Sequence, residues 1–90
     1  MIERLRDDTL NLMKIPGLSG HEDKVRDYIK DAVKKIGLTP TFDKLGNLKI
    51  TFPGTSPRVM LFTHMDQLGL VVRKIEDDGY LRFERVGGVP

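Results

Sequence analysis

Val59-Met60-Leu61-Phe62-Thr63-His64-Met65-Asp66-Gln67-Leu68-Gly69 is the stretch on which the fold turns. Its first four residues are apolar without alternation. This predicts a strand over residues 59–63 that is buried on both faces, at the centre of a sheet covered by helices. The run stops at His64, and the carboxylate of Asp66 follows two positions later. In open α/β sheets, chemistry is mounted at the carboxyl ends of strands. An imidazole that holds a metal commonly takes a carboxylate on its other ring nitrogen. His64 is therefore a candidate metal ligand and Asp66 its candidate partner. Taken alone, H-x-D is a short pattern, and a lone histidine at a strand end is more often a hydrogen-bonded structural residue.

Upstream, Leu48-Lys49-Ile50-Thr51-Phe52 alternates apolar and polar residues, the mark of a strand with one buried face. Thr39-Pro40-Thr41-Phe42-Asp43 is its partner, demoted by Pro40 to an edge or irregular strand. Turn residues around Gly46 and Asn47 join the two into a hairpin. Ser19-Gly20-His21-Glu22 fits an S-x-x-E capping box, in which hydroxyl and carboxylate satisfy each other's orphan amides. It opens a helix whose apolar face is Val25, Tyr28, Ile29, Ala32, Val33 and Ile36, ending at Gly37. An earlier helix covers residues 2–13 and stops before Pro16. Downstream, residues 70–75 and 80–85 flank Asp77-Asp78-Gly79 and predict a second, more solvated hairpin. The last residues, Val86-Gly87-Gly88-Val89-Pro90, predict a loop.

A central strand buried on both faces needs neighbours on both edges and helices on both sides. Two helices and one hairpin are a thin supply, so the pattern predicts the opening third or quarter of a larger α/β protein. The 90 residues amount to one small domain at most. With 39% hydrophobic and 31% charged residues the chain is neither disordered nor low in complexity. A net charge of +2, with both signs interspersed, is no nucleic-acid footprint. No stretch approaches the ~20 apolar residues of a membrane span, and residues 1–6 do not form a signal peptide. The absence of cysteine rules out thiolate metal sites and a cysteine nucleophile within these residues, and suits a cytoplasmic location. His21 reads as a solvated residue at a helix start, Ser19 as a cap, Asp7 and Asp8 as a solvated helix face, and Asp77 and Asp78 as turn residues.

The order of motifs is more specific than any one of them. S-G-x-E opens a helix, D-x-x-G-N-L forms a hairpin, and a buried strand ends in T-H-M-D-x-L-G. D-D-G-x-L-R-F and G-G follow. This succession, over nearly the whole chain, resembles the N-terminal part of the M42 family of metallo-aminopeptidases, many of which have been labelled endoglucanase. Nothing in the residues supports carbohydrate chemistry. The resemblance implies a helix-flanked mixed-sheet catalytic domain, whose N-terminal part is residues 1–69. It also implies that residues 70–90 begin an inserted β domain used in oligomerisation.

The resemblance further implies that His64 ligates one of two divalent metal ions and that Asp66 packs behind it and orients its ring. Zinc or cobalt suits such ligands. In the complete enzyme the metals would polarise a peptide carbonyl and activate a bridging water, releasing the N-terminal residue. The family's remaining ligands and general base match regions beyond residue 90, and a catalytic zinc needs roughly three protein ligands. The isolated chain is therefore expected to bind no metal tightly and to be inactive alone. Its expected partners are peptide substrate, the remaining polypeptide or further copies of itself, with neither nucleic acid nor membrane. A non-catalytic assembly module and an orphan gene fragment are the alternatives. One departure stands out: the family usually has glutamate where this chain has Gln67.

Overall fold

Helix α1 runs over Ile2–Met13 and α2 over Asp23–Lys35 in a computed structural model that describes all 90 residues. Two antiparallel two-stranded sheets follow. The first pairs β1 (Thr41–Phe42) with β2 (Leu48–Lys49), and the second pairs β3 (Gly69–Ile75) with β4 (Leu81–Val86). Both helices and the second hairpin lie where the periodicity places them; the first hairpin forms at the expected place but is shorter, with Ile50, Thr51 and Phe52 outside its ladder.

The turn of the first hairpin is organised by one carboxylate. Asp43 Oδ1 accepts the main-chain amides of Leu45 (3.0 Å) and Asn47 (2.9 Å), and Oδ2 accepts the Asn47 side-chain amide (2.8 Å). These bonds, with the Asn47 side chain contributing most, its main-chain amide next, and Leu45 and Lys49 less, hold the Asp43 carboxyl below the ordinary aspartate range. Arg26 of α2 reaches across to donate to the Gly46 carbonyl at 3.3 Å, which ties the hairpin to the helix.

The second hairpin closes over Glu76–Tyr80. The Gly79 amide donates to Glu76 O (3.0 Å) and the Glu76 amide to Tyr80 O (2.8 Å). Gly79 takes φ +88°, a conformation that costs a residue with a Cβ. The register shifts between Val72 and Lys74, so Arg73 is an extra residue in β3, and its guanidinium pairs with Glu84 at 2.8 Å.

Two local expectations are corrected. The capping box does not form: α2 starts at Asp23, and the Glu22 carboxylate turns back to accept the Gly20 amide at 2.7 Å. The reason is Gly20, whose φ of +84° bends the chain before the helix can begin at Ser19. The buried central strand is also absent. Residues 59–63 join no ladder, and Leu61 and Phe62 are 93% and 88% exposed. No strand of the chain lies alongside to accept their amides, and no helix covers them.

The chain has little interior. Only Gly17, Val25, Val33 and Pro40 are buried. The accessible surface is 8372 Å², against about 5,300 Å² for a folded monomer of this mass. The radius of gyration is 17.4 Å, where a compact chain of this length has about 12 Å. The face of α2 that carries Val25 and Val33 is the one covered core. The turn at Gly17, which lies against Val25, accepts the Gln67 amide.

Candidate functional site

The loop after the apolar run brings His64 and Asp66 together. His64 Nδ1 lies 2.9 Å from Asp66 Oδ1 and 3.1 Å from the Asp66 carbonyl oxygen. Both partners are acceptors only, so Nδ1 must carry the proton and donate it. In the neutral ring that leaves Nε2 as a bare lone pair. The imidazole side chain is 83% exposed and the Asp66 side chain 39%, so Nε2 is open to an incoming ligand.

The loop is held from one side. The Gln67 amide donates to Gly17 O at 2.7 Å, forming a parallel bridge with Leu18. Gln67 Nε2 donates to Leu12 O, in the last turn of α1, at 3.4 Å. Gly17 has no room for a side chain: a Cβ there would lie 2.7 Å from Val25 Cγ2 and 3.6 Å from Met65 O. A Cβ at Gly69 would meet Leu18 Cδ1 at 2.7 Å. The turn between the helices is thus the seat on which the His64 loop rests.

Of the residues singled out from the sequence, His64 and Asp66 form a pair, and the rest stay apart from them. His21 is exposed, and its amide donates to Leu18 O at 2.7 Å. Asp78 accepts the Tyr80 amide within the β3–β4 turn. No group of three or more His, Cys, Asp or Glu side chains stands close enough to hold a metal ion. The seat formed by Leu12, Gly17 and Leu18 has no chemical signature in the sequence. The one sign of it was that Gln67 stands where the resemblance expects glutamate. No helix is long and apolar enough to cross a membrane.

Similar proteins bear on the same residues. The profile of the M42 glutamyl aminopeptidase family matches residues 46–90. A lysyl aminopeptidase of Pyrococcus furiosus is 43% identical over 79 residues, which are 87% of this chain and 23% of that protein. A glutamyl aminopeptidase of Lactococcus lactis is 38% identical over 87 residues, 93% of this chain and 24% of that one. The crystal structure of a Thermotoga maritima protein titled an endoglucanase superposes with a TM-score of 0.75 at 42% identity, over 88% of this chain and 26% of that one. The chain spans about a quarter of the length of the relatives it matches.

Proposed function

Because the chain belongs to the M42 glutamyl aminopeptidase family, we propose that it is the N-terminal portion of a dinuclear, metal-dependent aminopeptidase that removes N-terminal residues from peptides. In this reading His64 Nε2 is one metal ligand. Asp66 fixes the ring's tautomer and aim and raises the basicity of the ligating nitrogen. Residues 1–69 belong to the catalytic domain and residues 70–90 begin an inserted β domain that serves oligomerisation. Zinc or cobalt is the ion, and the location is cytoplasmic, with neither nucleic acid nor membrane as partner.

The observation that carries this reading is the bond from His64 Nδ1 to Asp66 Oδ1 at 2.9 Å, with the ring exposed beyond it. The residues present fit one ligand position, and no cluster of three donors accompanies it. The chain's own part in the reaction is therefore to hold and aim one ligand. The further ligands, the general base and the pocket that selects the N-terminal residue lie outside these 90 residues.

A chimera tests this. The matched segment of the Pyrococcus furiosus lysyl aminopeptidase is replaced by this chain, and hydrolysis of a lysyl anilide is followed with zinc or cobalt added. Hydrolysis that disappears with His64→Ala and falls sharply with Asp66→Asn is expected. Activity indifferent to His64→Ala would overturn the assignment. Isothermal titration of the 90-residue chain alone is expected to show no tight zinc or cobalt site.

A further inference from the structure

We propose that Gln67 is the positioning residue of the His64–Asp66 pair: it clamps the loop to the end of α1 and thereby sets the direction of the free Nε2. The proposal deepens the aminopeptidase reading and rests on it only for the use made of the imidazole.

The ring's orientation follows Asp66, which supplies both acceptors to Nδ1 through its carboxylate and its carbonyl. What holds Asp66 is its neighbour. Gln67 makes two bonds to two separate points, Gly17 O in the turn between the helices at 2.7 Å and Leu12 O in the last turn of α1 at 3.4 Å. One bond would leave the loop free to swivel, whereas two from the same residue remove that freedom. Upstream, residues 59–63 join no ladder and contribute no restraint. The absence of a Cβ at Gly17 lets the turn lie against Val25, where a Cβ would come within 2.7 Å of Val25 Cγ2.

The chemistry of the side chain matters. The group facing Gln67 is a carbonyl oxygen, so the position calls for a donor. A glutamate offers the same length and only acceptors, and sets negative charge against the oxygen. A methionine offers the length and no bond. The amide is the side chain of this size that satisfies the Leu12 carbonyl, which also accepts from the Ile15 amide at 3.1 Å.

The test is the tautomer of His64, read from the two ring nitrogens by ¹⁵N NMR of the 90-residue chain, metal-free, at a pH where the imidazole is neutral. The wild-type chain is expected to hold the proton on Nδ1. Gln67→Met and Gln67→Glu are expected to lower the ratio of Nδ1–H to Nε2–H by about fivefold, the typical worth of one hydrogen bond, with Gln67→Glu the larger effect. The amide signals of α1 and α2 should stay in place. A ratio unchanged in both variants, or a wild-type proton on Nε2, would overturn the proposal. Should Gln67→Glu loosen the helices, Gln67→Met decides, since it adds no charge. Zinc added to the chimera tests the aminopeptidase reading separately. A tautomer that moves beside a chimera indifferent to His64→Ala leaves Gln67 in its role and removes the peptidase.

Discussion

Residues 59–62 and strand β3 are built from the same kind of side chain and meet opposite fates. Leu70, Val71 and Val72 sit in a ladder that runs from Gly69 opposite Val86 to Ile75 opposite Leu81. Val59, Met60, Leu61 and Phe62 sit in none, and each is at least 80% exposed. Apolar content is therefore not what makes a strand here. The partner of β3 is five residues away across a turn that Gly79 accommodates, so closure costs little entropy. The partner that residues 59–62 would need is not within reach of any turn, and their backbone groups go unpaired. The segment is anchored only at its downstream end, where Gln67 meets Gly17.

The largest effect is expected at that anchor. Gly17→Val forces a Cβ to within 2.7 Å of Val25 Cγ2, an overpacking worth about 2 kcal/mol. It should lower the urea midpoint and sharpen amide exchange at residues 64–68 while leaving β3 and β4 protected. If β3–β4 exchange rises equally, the two regions are not independent. Next, Gly79→Val places a β-branched residue at positive φ and should cost the second hairpin about 1–2 kcal/mol. The loss is visible as faster exchange at Val71, Val72 and Phe83, with the His64 loop unaffected.

A smaller effect is expected from pH at the first hairpin. The Asp43 carboxyl is held below its ordinary range by Asn47. Its contribution is therefore fully present above the unfolded aspartate value and is lost as pH falls through the lower, folded one. Asp43→Asn should remove that pH dependence, as followed by the amide shifts of Leu45 and Asn47. The smallest effect on stability is expected from Leu61→Lys with Phe62→Lys. Both sites are exposed, so the change should lie within about 0.5 kcal/mol. The same pair should reduce self-association in sedimentation velocity, because it breaks a contiguous apolar surface. A large loss of stability would show that residues 59–62 are packed in solution after all.

What the residues announce of the fold is whatever depends on neighbours close in sequence. The period of α2, the stop before Pro16, the turn around Gly79 and the alternation of residues 80–85 are all local, and each element formed where its pattern lies. The capping box does not form because Gly20 bends the chain between Ser19 and Glu22, and the S-x-x-E spacing does not carry a dihedral angle. The candidate pair was legible for the same reason of proximity: two residues apart, His64 and Asp66 can always meet.

By itself, then, the sequence determined two helices, two hairpins, the H-x-D pair and the family resemblance, because each rests on short spacings or on the order of motifs. Only the tertiary structure decided that residues 59–63 stay outside any sheet, that Nδ1 is the ring nitrogen turned inward, and that Gln67 is bonded to Leu12 and Gly17. Those facts depend on which distant groups come within about 3 Å of one another, and hydrogen bonds across 50 residues leave no periodic trace in the chain.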